Sequence, residues 1–356
     1  MNQENTQGGA MTKFSILDLA PIKEGGDAKQ ALNESVEISQ CAESWGYSRY
    51  WVAEHHNMRG IASAATSLVI SHIASNTRSI RVGAGGIMLP NHSPLIIAEQ
   101  FGTLATLHGN RIDLGLGRAP GTDQNTMLAL RRSRTEDVSQ FPRNVVELQH
   151  YLKPAEDNQP IIATPGEGTN VPIYILGSSL FGAQLAGMLG LPFAFASHFA
   201  PGALQQALEI YRNSFKPSDQ LEKPYSILGF NICAADDHDT AVFHRTSSIK
   251  SIIRLRQGNP GKLPRPEKNF EEKLNESQRQ VVSQMSKCSA VGDAENVEAA
   301  ISEFLQATSA DEIIFNCSIF DHEARLRSFE ITSQVMNRIR REGSKNDREE
   351  ARSVYS

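Results

Sequence analysis

The stretch that decides the fold runs from Ile80 to Gly117: "IRVGAGGIMLPNHSPLIIAEQFGTLATLHGNRIDLGLG". Its ends are short β-like runs, "IRVGAGGI" (80–87) and "IDLGLG" (112–117), apolar on both faces. Between them, Pro94–Leu107 has a helical period. Two strands covered on both sides, joined by a helix, form the crossover unit of a parallel sheet.

The same alternation continues in both directions. Further strands are expected at "FSILDL" (14–19), "YWVA" (50–53), "PIYILG" (172–177), "PFAFA" (192–196), "ILGFNICAA" (227–235) and "EIIFNC" (312–317). Helices fit between and after them: Ala28–Trp45, Ser63–Ser75, Thr135–Tyr151, Leu180–Leu189, Pro201–Phe215, Thr240–Arg256 and Glu323–Arg340. In Ala28–Trp45 the apolar Leu32, Val36, Ile38 and Cys41 recur at mostly three- and four-residue steps, giving one face for a sheet. Eight strand–helix units predict an α/β fold, a (β/α)8 TIM barrel, for which about 250 residues is typical.

The remaining length goes into insertions before strand 5 and between strands 7 and 8. Lys153 to Val171 is rich in proline and glycine and is expected as a loop or small hairpin. Gln257 to about Gly292 is a lid candidate, because long loops in compact domains are more often functional than decorative. Asp293 then caps a helix through Ala307. Residues 1–12 are expected as a disordered leader, 13–342 as the barrel domain, and 343–356 as a polar tail.

The chain has 356 residues, a net charge of −5 and a pI near 6.1. No basic excess exists to neutralise phosphates, so nucleic acid is not an expected partner. The start lacks the basic and apolar regions of a signal peptide, and no run approaches the ~18 apolar residues of a membrane span. No membrane association and a cytoplasmic location are therefore expected. Cys41, Cys233, Cys288 and Cys317 stand far apart without a CxxC spacing, which suits buried packing residues in a reducing compartment.

In such a barrel, function sits at the C-terminal ends of the strands. Five of those ends carry polar or glycine-rich clusters: "EHH", "GAGGIMLPNH", "GRAPGTD", "GSSLFG" and "SHF". After strand 5, Gly177-Ser178-Ser179 leads into a helix, offering hydroxyls and free N–H groups to an anion; an ordinary serine N-cap is the alternative. Arg118, ending the neighbouring strand, could neutralise a phosphate held there. Gly83, Gly85 and Gly86 in one strand mark either a barrel corner or the close approach of a flat ligand. In Glu54-His55-His56, adjacent histidines on an extended chain point apart. No HExxH spacing or further Cys/His cluster completes a ligand set, so no metal is expected. Buried structural histidines or acid–base chemistry remain.

These segments, "YWVAEHH", "IRVGAGGIMLPNHSPLIIAEQFGTL", "GNRIDLGLGRAPGTD", "VPIYILGSSLFGAQLAGMLGLPFAFASHFAP" and "VGDAENV", resemble the luciferase-like flavin-dependent monooxygenases, relatives of the bacterial luciferase α chain, in collinear order from about Phe14 to Ile339. The likeness is to a single-chain branch. It implies reduced FMN as cofactor, supplied by a separate flavin reductase, with O2 giving a C4a-peroxyflavin that oxygenates a small organic substrate. It implies Arg118, Ser178 and Ser179, with Gly177, on the flavin phosphate, and a non-prolyl cis peptide, Gly85–Gly86, under the ring. His55 is the implied imidazole base, with Glu54 beside it in the catalytic element and His56 as an orienting or structural neighbour.

Where the luciferase α chain has a reactive cysteine before that arginine, this chain has Gly117, so light emission from a long-chain aldehyde is not implied. No GxGxxG motif in a βα turn offers a site for NAD(P)H. An F420-dependent dehydrogenase on the same barrel is a second reading, and a non-catalytic partner subunit a third, against which His55 and Arg118 argue. "ASAATSLVISHIASN" and "PLIIAEQFGTLATL" are apolar beyond one core-facing stripe, which suggests a homodimer.

Overall fold

The computed structural model of the chain describes residues 12–118, 126, 129–130 and 138–353, with side chains as far as 341 except at 138. Eight parallel strands close into a cylinder: β1 (Lys13–Asp18), β2 (Arg49–Val52), β3 (Arg81–Met88), β4 (Ile112–Gly117), β5 (Ile173–Gly177), β6 (Phe193–Phe195), β7 (Ser226–Ala234) and β9 (Glu312–Asn316). Each pairs with the next, β6 pairs with β7, and β9 returns to β1. The (β/α)8 barrel expected from the sequence is the fold.

Alternation along the strands separates two cores. Leu17, Trp51, Tyr174, Ala194, Ile227 and Ile314 form one cluster inside the cylinder. Ile16, Tyr50, Val52 and Val82 belong to the larger cluster against the helices. That outer layer comprises α1 (Ala28–Ser44), α2 (Thr66–Ser75), α3 (Pro94–His108), α4 (Phe141–Leu152), α5 (Leu180–Leu189), α6 (Leu204–Ser214), α7 (His238–Arg256), α8 (Glu276–Ser286), α9 (Ala294–Thr308) and α10 (His322–Ser353). Burying a large apolar side chain stabilises the fold by roughly 1.5–3 kcal/mol, so the double layer supplies the driving force for closure. All four cysteines are free, three of them buried.

The N-terminal end of the cylinder is plugged by charge. Arg49 donates to Glu312 at 2.7 and 3.0 Å and to Asp113 at 2.8 Å. Asp113 also accepts from Trp51 Nε1 at 3.0 Å and from Arg81. The hydroxyls of Ser15 and Tyr225 reach Glu312, and that of Tyr174 accepts from Arg49. Both carboxylates and Arg49 are buried. Buried charges persist only when paired and hydrogen-bonded in this way.

Of the two insertions, Lys153 to Val171 is a loop, the first of the two forms expected for it, and the second departs from expectation. The second insertion hides a ninth strand, β8 (Ser289–Gly292), which pairs with the last residues of β7 outside the cylinder. Helix α8 has a full capping box between Asn275 and Gln278, and Asp293 caps α9 as expected. The segment before α8 is strapped across the mouth. Leu263 N donates to Ile22 O and Glu24 N to Leu263 O, both at 2.9 Å. The leader lies outside the described residues except for Thr12, and the backbone of α10 stays helical through most of the expected tail.

Candidate functional site

The β2 strand ends at Val52, and the next turn carries Glu54 to the rim. Its carboxylate is 1% exposed. Oε1 lies 2.6 Å from His56 Nε2 and 2.8 Å from His92 Nε2, and Oε2 accepts from Met88 N at 3.0 Å. Glu54 N donates to Gly86 O at 3.4 Å. Burial alone would raise this carboxyl; the hydrogen bond and charge of His92, then His56 and the Met88 N–H, outweigh it and leave the group below its ordinary value. Glu54 therefore stays ionised near neutrality and ties the ends of β2 and β3 together.

His92 corrects the expectation that no further imidazole completes a ligand set. It sits on the short turn after β3 and brings three ligand-capable groups, Glu54, His56 and His92, within 4.8 Å of one another. Both imidazoles address the same oxygen, Oε1, so in this geometry they are engaged in holding the carboxylate. His55 takes no part in these hydrogen bonds to Glu54. Its Nδ1 is buried without a hydrogen-bond partner, and burial pushes the imidazole below its ordinary pKa. It is a neutral base with a nitrogen to spare.

The strand glycines have a packing reason that the sequence left open. A methyl at Gly83 would lie 2.4 Å from Asp113 O and 2.9 Å from Trp51 Nε1; one at Gly85 would lie 2.6 Å from Leu17 Cδ1. Trp51 and Leu17 fill the space that side chains on β3 would take. At Gly86 the obstacle is backbone, Gly115 O at 2.6 Å. The Gly85–Gly86 bond is cis, and the β3–β4 register shifts between Ala84 and Ile87. The bulge is at the floor of the mouth, beside Glu54.

Arg118 follows β4, next to β5, and its guanidinium carbon lies 4.1 Å from the centroid of the Phe181 ring. Phe181 is in the first turn of α5, so the cation is seated at that helix start. Ser178 and Ser179 are exposed. Ser179 occupies the N-cap position, yet its side chain makes no capping bond, which leaves the hydroxyl and the first N–H groups of α5 available to an anion. At Gly177 a methyl would make only ordinary contacts, the nearest 3.6 Å away at Gly182 Cα. The rest of "GRAPGTD", from Ala119, lies outside the described residues.

A cavity of about 690 Å³ opens beside this rim, between the ends of β1, β7 and β9 and the second insertion. Met58, Gly60 and Ile61, continuing the "EHH" turn, form part of its wall. His198, from "SHF", lies against Gly229, where a methyl would meet Nδ1 at 2.0 Å. Asn231 Nδ2 donates to His198 O at 3.0 Å.

A family model described as luciferase-like monooxygenase matches residues 12–312. A protein of Escherichia coli strain K12 named luciferase-like monooxygenase is 52% identical over 326 residues, covering 92% of this chain and 97% of its own. The chain belongs to the luciferase-like monooxygenase family. The crystal structure of apo-MsnO8 superposes with a TM-score of 0.82 at 30% identity, covering 92% of this chain and 98% of that one. Two barrels at 16% identity show the fold alone. One is the oxygenating constituent of a Pseudomonas putida 3,6-diketocamphane monooxygenase in complex with FMN (TM-score 0.68, covering 91% of this chain and 97% of its own). The other is an F420-dependent tetrahydromethanopterin reductase of Methanopyrus kandleri (TM-score 0.63, 91% and 98%).

In this family member the structure brings Glu54, Gly85 and Gly86 into one rim cluster, and Arg118, Gly177, Ser178 and Ser179 into another. Sequence reasoning missed the roles of His92 and Phe181; of the cavity wall it singled out the lid candidate Gln257–Gly292 and "SHF", but not the part that comes from the end of β1 and from α7. An imidazole four residues beyond a strand end was the available signal for His92. Among the described residues no helix is long and apolar enough to cross a membrane.

Proposed function

We propose that the chain is an FMN-dependent monooxygenase that takes reduced flavin from a separate reductase and oxygenates a small organic substrate. The observation that carries the reading is Arg118, stacked on Phe181 at the start of α5 beside two exposed serines. A guanidinium, hydroxyls and free helix N–H groups suit a phosphate monoester. The peptide between Gly85 and Gly86, at the floor of the mouth, is the support we assign to a flat ring, although the directions their side chains would take are filled by Leu17, Trp51 and Gly115 O; the unpartnered His55 Nδ1 fits a polar group brought by a ligand.

Reduced FMN, when bound, supplies the activation of O2 that no side chain provides. The chain's own residues do the rest. Arg118, Ser178 and Ser179 fix the phosphate end. Glu54 holds the β2 and β3 ends in register, keeping the floor in place. His55, neutral at working pH, accepts or returns a proton at its free nitrogen. The strap at 262–265 limits water at the mouth. Fold neighbours named with FMN and with F420 support a flavin-type cofactor.

Anaerobic titration with reduced FMN tests this. Micromolar binding is expected, weakened about tenfold or more in Arg118→Ala, since charge-assisted bonds carry that much. Absence of binding, or an unaffected Arg118→Ala, refutes it. Hydride transfer from reduced F420 without oxygen uptake would replace FMN by F420. A homodimer through α2 and α3 belongs to the same proposal: Leu68, Ile96 and Leu107 on these helices are 71%, 49% and 65% exposed. Light scattering at the monomer mass would refute that part.

A further inference from the structure

The cavity beside the rim has a one-sided charge that the flavin reading does not use. The charged side chains lining it are Arg254, Arg256 and Lys262, all basic. Two are engaged elsewhere: Arg254 pairs with Glu24 at 2.9 Å, and Lys262 Nζ donates to Gly26 O at 2.6 Å. Arg256 has no acidic partner among the described residues. Its guanidinium carbon lies 5.0 Å from the ring centroid of Phe199, another lining residue.

Arg254 and Arg256 both occupy the last turn of α7, where a cation complements the helix dipole. The dipole accounts for positive charge at that turn. It does not account for one of the two being seated on an aromatic of the cavity wall while the other is neutralised. The rest of the lining is neutral. Burial pushes His198 down to about 4, so it carries no charge at pH 7. Asn231, Asn316 and Ser251 offer hydrogen bonds, and Leu19, Ile252 and Met285 offer apolar surface. A volume of about 690 Å³ is in the range of small-molecule sites, about 300–1,000 Å³.

We propose that this cavity takes a small organic anion, a carboxylate or sulfonate on an apolar body, with Arg256 on Phe199 as the group that recognises the charged end. An aromatic under the guanidinium leaves its N–H edge free for two parallel bonds to the anion. That this anion is the molecule oxygenated rests on the proposed function above; its binding does not.

The test uses a matched series, 4-phenylbutanoate, 4-phenylbutanamide and 4-phenylbutylamine, titrated by calorimetry into the full chain with and without FMN. The carboxylate should bind about tenfold or more tighter than the amide, and the amine weakest. Arg256→Gln should erase the preference without shifting thermal unfolding, Arg256→Lys should keep part of it, and the surface control Lys29→Gln should keep all of it. Equal binding of carboxylate and amide overturns the proposal, as does a preference that survives in Arg256→Gln or no binding of the series at millimolar concentration. Reduced FMN affinity, measured on the same protein, separates the two readings: its loss alongside a retained carboxylate preference sinks the cofactor proposal and leaves this one standing.

Discussion

Replacing Glu54 by Gln changes a charge and almost nothing of shape, so the outcome can be worked from the hydrogen bonds. The carboxylate accepts three: from His56 at 2.6 Å, His92 at 2.8 Å and Met88 N at 3.0 Å. Bonds to an ionised acceptor are roughly twice as strong as neutral ones. An amide placed with its oxygen toward the imidazoles turns its NH2 against the Met88 N–H, donor against donor. Flipped, it requires both imidazoles to accept at Nε2. Either way the loss is about 1 kcal/mol per bond, or about 3 kcal/mol in all. With an unfolding entropy of about 2.1 cal/mol/K per residue, a chain of this length loses about 4 °C in Tm.

Calorimetry at pH 7 measures that shift directly. Because the folded Glu54 lies below its ordinary 4.5, its contribution is fully present above the unfolded value and lost as pH falls through the folded one. The gap between wild type and Glu54→Gln should therefore hold from pH 7 to 5 and close below pH 4.5. A variant as stable as wild type at pH 7, or a gap that widens below pH 4.5, refutes the reasoning.

A methyl at Gly60 would sit 2.1 Å from Gly261 O, so Gly60→Ala must displace the strap. KM for substrate should rise while reduced FMN affinity holds, and limited proteolysis should cut faster within 257–275. Gly86→Ala pushes against Gly115 O on β4 and should cost about 1–3 kcal/mol by overpacking, with weaker flavin binding read by titration. Since burial lowers His55, its neutral form prevails above the ordinary value of 6.5 and is lost only as pH falls below it. The turnover profile should be flat from pH 6.5 upward with an acid limb beneath, and His55→Ala should remove that limb and reduce turnover about 100-fold.

The barrel was legible because each of its eight strands is a short apolar run set against a helix of clear period; β4 and α5 match their expected bounds residue for residue. Strand β8 was not, since Ser289–Gly292 is only four residues long, half of them buried, too short to show a period inside a polar insertion. Arg118 and Ser178-Ser179 could be paired because adjacent strands end side by side. His92 could not be assigned to Glu54, for the contact depends on where the turn after β3 folds back. Gly83 and Gly85 read as a possible ligand floor, but what excludes side chains there is Trp51 and Leu17, a fact of the cylinder's interior that no linear pattern carries. The cavity is built from at least five separate segments, and only its lid was foreseeable from length and composition.

The plug of Arg49, Asp113 and Glu312 has a bearing on how the barrel tolerates change. Through Ser15, Trp51, Arg81, Tyr174 and Tyr225 it engages β1 to β5 and β9 directly and reaches β7 through the residue that precedes it. A slip of any of these staves would strand an ion in a dry interior, so alignment is fixed at the end opposite Glu54 and the cavity. The opposite end is thereby released from holding the cylinder together, and its loops can change in length and sequence while the frame beneath them stays as it was.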